Sequence, residues 1–322
     1  MRALFAAAPN PDDPLSAARV GERPDPEADK GWTVVEVKAA SLNHHDLWTL
    51  RGVGITPEQF PMILGCDAAG VDPDTGAEVV VHGVVSSPDW TGDDTLDPGR
   101  TLLSEKYQGT LAERVAVPTR NLVSKPAGLS FLHAACLPTA WLTAYRMLFV
   151  KAGLTPGQTV LVQGGAGGVG SAAVAMARMA GLRVWATGRT EAKRQAARGL
   201  GAHETFEPGA RLPERVDAVL ETVGEATWAH SLRSLKPGGR IVVAGATSGA
   251  MPPADLRRVF FLQLSVIGST MGTRAELEAL MSFLTSTGLR PNVHQVLPLD
   301  AARDGLAAME RGEVVGKIVI EP

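Results

Sequence analysis

Apolar and polar positions change their rhythm twice along this chain of 322 residues. Over residues 159–270, short runs rich in Val, Leu and Ile recur as TVLVQG, RVWATG, HETF, VDAVLETVG, RIVVAGA and LSVIGST. Between them lie AAVAMARMAG, EAKRQAARGLG, ATWAHSLRSLKPGG and PPADLRRVFFLQ, with apolar residues at helical spacing. Continuous apolar runs predict strands buried on both faces, and helical segments between them predict right-handed crossovers onto a parallel sheet. The fold class is therefore α/β, with six parallel strands in a doubly wound sheet. Before this region, WTVVEVKAA, AEVVVHGVV and LAERVAVP are joined by Pro, Gly and Asp clusters and predict a second, mostly antiparallel domain. After a helical stretch over 277–284, the tail NVHQVLPLDAARDGLAAMERGEVVGKIVIEP reads strand, helix, strand. Periodicity leaves two places for it: an extension of the parallel sheet, or a return to the first domain.

Composition agrees with two soluble domains: 45% hydrophobic residues suffice for two cores, and 35 Gly with 22 Pro supply the turns. Lys plus Arg (31) nearly balance Asp plus Glu (34), and no basic run is interleaved with aromatics, so no nucleic-acid partner is expected. No stretch approaches the ~18 uncharged apolar residues of a membrane span. The start, MRALFAAAPNPDDP, has too brief an apolar run for a signal-peptide core, so a cytoplasmic location is expected. The two cysteines, Cys66 and Cys136, make at most one disulfide and cannot supply a four-cysteine zinc lobe.

The most informative motif is VLVQGGAGGVGSAAVAMARMAG, in which Gly165, Gly167 and Gly170 form GxGxxG between a strand and a helix. Gly165 is expected to make the tight turn and Gly167 to admit the pyrophosphate. Gly170 brings helix close to strand, with Ala166, Gly168 and Val169 completing the loop at the helix N-terminus. About twenty residues on, where a carboxylate would hold the ribose hydroxyls of NAD, stand Thr187, Gly188, Arg189 and Thr190, with Lys193 a turn later. Without an acid to repel a 2′-phosphate, and with Arg189 to clamp it and Lys193 to add charge, the expected cofactor is NADP(H). The alternative is two solvated cations on the first turn of a helix.

Near the start, SLNHHDLWTLRG sets His44 and His45 beside Asp46. Adjacent side chains diverge by about 100° on a helix and point to opposite faces on a strand, so the pair cannot readily share one ion.

With NHHDLWTLRG, PMILGCDAAG, GTLAERVAVPTRNLVSKP, CLPTAWLTAYRML, GGAGGVG, LKPGGRIVVAGATSG and GKIVIEP in order, the chain resembles the medium-chain dehydrogenase/reductase superfamily, in particular its quinone oxidoreductase-like members. The resemblance implies a GroES-like catalytic domain from residues 1–121 plus the returning tail 288–322. A Rossmann dinucleotide-binding domain would occupy 122–287, and homodimers or homotetramers are implied. By family position, the first catalytic-zinc cysteine falls at Asn43. The next His-Glu pair falls at Cys66 and Asp67, and the last ligand near Thr139 or Trp141. Catalytic zinc is not expected there, although His45, Cys66 and Asp67 remain as an unusual alternative set. Cys66, Asp67 and Thr139 are instead expected to line the substrate pocket. The stretch GVDPDTGAEVVVHG is shorter than the usual family connection, so pocket shape transfers less well.

A small-molecule substrate that needs no Lewis acid is a quinone or an α,β-unsaturated carbonyl, with hydride added to the conjugated carbon. Asn43 is the expected amide donor to the carbonyl oxygen, and His45 the proton donor, directly or by relay through Asp46. The alternative for His44, His45 and Asp46 is ordinary helix-start chemistry. Tyr107 and Tyr145 lack the lysine four residues on that a short-chain-type acid needs. By resemblance only, Thr143, Val223, Gly224, Gly245, Ala246, Thr247, Gly268, Ser269 and Thr270 border the cofactor, and Lys317 closes over it. Two other readings stay open: an alcohol or aldehyde dehydrogenase using a His-Asp relay, and a catalytically silent NADPH-binding protein.

Overall fold

The computed structural model describes residues 1–322. They form two compact units, Met1–Leu142 with Met271–Pro322, and Thr143–Thr270. No helix is long and apolar enough to cross a membrane.

In the first unit, one sheet runs in the order Leu122–Ser124, Glu78–Val81, Ala68–Val71, Trp32–Ser41, Lys317–Glu321, Val293–Pro298, with Arg114–Pro118 paired to the other end of Trp32–Ser41. All pairings are antiparallel except that between the last two strands. The tail therefore rejoins the first unit: Val319 and Ile320 pair with Ser41 and Ala40. Its apolar alternation explains the choice, since Ile318 and Ile320 enter the core of Val35, Val37, Leu64, Val79 and Leu111. A smaller sheet orders Ala18–Glu22, Arg2–Ala6, Met62–Ile63. The helix Arg274–Thr287, opened by a Thr273/Glu276 capping box, packs on Leu122–Ser124 and the π-helical turn Leu137–Trp141. That packing draws residues 122–142 and 271–287 into the first unit, so the division falls after 142 and 270 where the sequence suggested 121 and 287.

The second unit is a parallel sheet in the order Glu204–Phe206, Arg183–Thr187, Thr159–Val162, Val216–Glu221, Leu235–Val243, Ser265–Gly268. Chain order reverses at Thr159–Val162, as in a doubly wound dinucleotide fold. The central strands are buried on both faces as their runs predict, but Ser265–Gly268 is the sheet edge and leaves Val266 half-exposed. Its apolar run thus does not mark burial within this unit.

Trp185 anchors this core, fully buried among Leu161, Val219, Leu232 and Ile241, with its ring 5.7 Å from Phe206 in an edge contact. Its indole N–H is buried without a partner. Trp185→Ala is expected to remove about 3–5 kcal/mol of stability. Trp185→Phe keeps most of the packing and removes the unpaired N–H, so it should lose clearly less; urea midpoints of the two variants check the order.

Candidate active site

At the C-terminal edge of the second unit's sheet, the chain leaves Thr159–Val162 through Gln163 and Gly164 and enters the helix Gly168–Met179 with Gly167 as its N-cap. Gly164, at φ +67°, makes the turn that the sequence suggested for Gly165. Gly165 is needed for packing: a Cβ there would lie 2.6 Å from the Ala186 Cβ, and one on Gly170 would lie 2.2 Å from the Gly164 carbonyl. No side chain caps the helix, so its first amides are left for an anion, with Ala166, Gly168 and Val169 on the path around them. Thr187, Gly188, Val223, Gly245, Ala246, Thr247, Gly268, Ser269 and Thr270 fall at the same edge, at or just beyond the C-terminal ends of their strands. Thr143 lies buried in the short helix Leu142–Tyr145.

Thr187 departs from expectation: its buried hydroxyl donates to Gln163 Oε1 at 2.8 Å and accepts the Gly164 N–H at 3.1 Å. It fixes the glycine loop from beneath. Gln163 Nε2 in turn reaches Ser231 Oγ at 2.9 Å and His230 Nδ1 at 3.0 Å, and Ser231 donates to Glu221 Oε2 at 2.6 Å. Glu221 Oε1 accepts the N–H groups of Val223 and Gly224 at 2.8 and 3.0 Å. One buried polar network therefore sets both the glycine loop and the Val223 loop. Its members Gln163, Glu221, His230 and Ser231 are not visible as site residues in sequence, because Gln163 sits in the turn after a strand and the others in an otherwise ordinary strand or helix.

Arg189 is exposed, and neither it nor Lys193 has a carboxylate partner, since Glu191 turns to Arg194, Gln195 and Arg198. Burial, and then the adjacent Arg189 guanidinium, push Lys193 below its ordinary value. Two like charges held together without an acid suit a phosphate. The Ser269 hydroxyl is buried with no partner. The uncapped helix, the cation pair and this open hydroxyl all fit a phosphorylated dinucleotide.

In the first unit, Asn43, Asp67 and Lys317 form a buried knot. Lys317, expected over the cofactor, lies instead inside this unit. Its ammonium donates to Leu42 O at 2.6 Å and Asn43 Oδ1 at 2.5 Å, and reaches Asp67 Oδ2 at 3.3 Å. Asp67 Oδ2 also accepts Ser41 Oγ and Asn43 Nδ2, both at 2.8 Å, and its Oδ1 accepts Thr139 Oγ1 at 2.6 Å. The second N–H of Asn43 points to Ser41 O at 3.3 Å. Both amide hydrogens of Asn43 are thus engaged, and it has none to offer a substrate, contrary to expectation. Cys66 and Asp67 are fully buried and do not form a pocket surface; of the expected lining residues only Thr139 is partly exposed.

The same geometry tests the site for zinc, and the residues do not fit. Cys66 Sγ sits 3.3 Å from Thr139 Oγ1, and burial, followed by Asp67 and Asp46, raises its thiol well above the ordinary range. Asp67 is saturated, an ammonium lies among the donors, and nowhere do three His, Cys, Asp or Glu side chains converge for a metal. The alternative set of His45, Cys66 and Asp67 fails with them.

Asp46 is no relay. In the helix His44–Leu50 it is the third residue, and its Oδ2 accepts the N–H of the N-cap Asn43 at 2.8 Å while Oδ1 accepts that of Gly65 at 2.9 Å. Arg51, at the end of the same helix, pairs with Glu310. His45 Nε2 instead meets Glu105 Oε1 at 3.1 Å, a residue that sequence reasoning missed.

Residues 29–127 match the family described as alcohol dehydrogenase GroES-like domain, and residues 168–286 match that described as zinc-binding dehydrogenase. The 2-methylene-furan-3-one reductase of Solanum lycopersicum is 32% identical over 92% of this chain and 73% of that protein. A solved NAD-dependent alcohol dehydrogenase superposes with TM-score 0.91 and 35% identity, covering 100% of both chains. The 2-octenoyl-CoA carboxylase reductase CinF, solved with NADP and 2-octenoyl-CoA, gives TM-score 0.91 at 25% identity over 99% of this chain and 87% of that one.

Burial pushes the Asp46 carboxyl up to about 6 from its ordinary 3.8, against the lowering effect of the Asn43 N–H. A carboxyl more basic when folded supplies stability below its unfolded value, and that contribution is lost as pH rises through the folded one. Asp46→Asn also places an amide NH2 against one of two N–H donors, so it should destabilise. Its deficit relative to wild type should be largest near pH 4 and shrink toward pH 7, as read by urea unfolding across that range.

Proposed function

The chain belongs to the medium-chain dehydrogenase/reductase superfamily, and we propose that it is a zinc-independent, NADPH-dependent reductase of α,β-unsaturated carbonyls or quinones. The observation that carries this reading is the saturated knot of Asn43, Asp67 and Lys317, where the family's catalytic zinc would stand. Without a Lewis acid, a plain alcohol or aldehyde lacks its activator, whereas a conjugated acceptor brings its own. The 2-methylene-furan-3-one reductase and the 2-octenoyl-CoA carboxylase reductase, both enzymes of conjugated carbonyl compounds by name, support the same class.

When bound, NADPH supplies the hydride. The helix N-terminus at Gly167 would hold its pyrophosphate, Arg189 and Lys193 its 2′-phosphate, and the edge from Gly245 to Thr247 with Ser269 its nicotinamide side. The Gln163 and Glu221 network keeps those loops rigid without touching substrate. The NAD-dependent alcohol dehydrogenase at 35% identity favours one second reading, NADH-linked turnover of an alcohol or aldehyde.

The exposed edge strand Ser265–Gly268, beside exposed Leu256, Phe260 and Phe261, supports a homodimer or, by pairing of dimers, a homotetramer. Light scattering at the mass of two or four chains is expected, and a monomer refutes it. Both cysteines are buried and free, in keeping with a cytoplasmic setting.

Steady-state assays with an enone, a quinone and an aldehyde panel test the reaction. Conjugated acceptors should turn over with metal-free protein; turnover of aldehydes alone, or a stoichiometric zinc, refutes the proposal. Arg189→Ala should raise KM for NADPH about tenfold or more, the loss of one charge-assisted bond, and leave KM for NADH nearly unchanged. A wild-type preference for NADH overturns the cofactor reading.

A further inference from the structure

In the helix His44–Leu50, Nδ1 of His45 is buried and has no hydrogen-bond partner. Its ring is not loose. Nε2 meets Glu105 Oε1 at 3.1 Å, and the other oxygen of Glu105 accepts the Leu102 N–H at 2.9 Å and the Thr101 hydroxyl at 3.1 Å. Burial pushes the Glu105 carboxyl up, but hydrogen bonds from His45 and Leu102 outweigh it and hold it below the usual carboxylate range. Glu105 thus stays ionised and accepts only, so the proton of the neutral ring resides on Nε2 and the lone pair on Nδ1. The turn that presents Glu105 is strained: Ser104, buried and not glycine, has φ +71°. Strain held next to a carboxylate that orients a histidine, whose other nitrogen is left bare, is costly for a mere packing contact.

We propose that His45 and Glu105 form the proton-delivering dyad of this enzyme, with Nδ1 of His45 the donating atom and Glu105 its positioning residue. The proposal rests on the reductase reading above. Hydride arrives at the β-carbon of the acceptor, and the C=C electron pair moves to leave an enolate. The Nδ1–H bond of the doubly protonated ring then breaks, and its proton passes to the enolate. The ring is left neutral with Nε2–H on Glu105, and a solvent proton restores it. Glu105 acts by holding the Nε2–H, which fixes the ring orientation and leaves Nδ1 as the nitrogen that gives up the proton.

Nitrogen-15 spectra of histidine-labelled protein test the dyad without turnover. Neutral His45 should be locked as the Nε2–H tautomer, and Glu105→Gln should shift it toward the other tautomer or to exchange, while NADPH fluorescence titration stays at the wild-type value. Kinetics with an enone test the delivery. His45→Gln should lose roughly 10²-fold in kcat with KM for NADPH unchanged, Glu105→Gln should lose about tenfold, and Glu105→Asp should regain part of that. A wild-type His45 found as Nδ1–H, or a tautomer indifferent to Glu105→Gln, overturns the pairing even if the kinetic variants do not fold. Full turnover by His45→Gln overturns the delivery. A locked tautomer in a wild-type chain that reduces no conjugated acceptor supports the pairing and refutes the reductase reading instead.

Discussion

The buried ammonium of Lys317 holds the first unit's site together. An unpaired charge at that depth would be prohibitive, so its three donors dictate where Leu42, Asn43 and Asp67 must lie. Those partners come from the end of the strand Trp32–Ser41, from the start of the next helix and from the turn before Ala68–Val71, while Lys317 opens the last strand of the chain. One ion pair with its hydrogen bonds thereby fastens the tail to the N-terminal region, where apolar pairing of Ile318 and Ile320 alone would fix only face and register. Asp46 extends the same fastening outward: through Gly65 it ties the helix to the turn carrying Cys66 and Asp67.

The second unit solves a related problem without a cation. Its glycine loop and Val223 loop must present bare backbone, so neither can be held by its own side chains. Buried groups beneath do it, with Thr187 and Gln163 under one loop and Glu221 under the other, joined through Ser231. Glu221 survives burial because it accepts two backbone N–H groups and two hydroxyls. In both units, buried polar side chains hold the geometry of the turns and loops beside them.

That division explains what the sequence made legible. The doubly wound sheet is written in continuous apolar runs, and the phosphate loop in glycines, because both depend on local spacing. The role of Asp46 was within reach, since an asparagine followed three residues later by an acid before an apolar stretch is a helix-start pattern. Lys317 and Glu105 were not: their partners lie 274 and 60 residues away, and no local period records such a pairing. Nor does an apolar run distinguish a central strand from an edge, as Ser265–Gly268 shows.

Which chemistry a site can perform depends on which polar atoms remain uncommitted once the fold has been held together. A zinc ion works by keeping a coordination position open, whereas the Lys317 ammonium has spent every donor and its charge is neutralised at once by Asp67. The positive charge at the centre of the unit therefore has no donor left with which to polarise a substrate. Under the proposed reaction, activation passes to the conjugated acceptor itself, and the protein's remaining task is a proton at the right moment. Such a task needs an oriented acid with one free end rather than a strong field. In that helix, His45, held by Glu105 at one nitrogen and without a partner at the other, has that form.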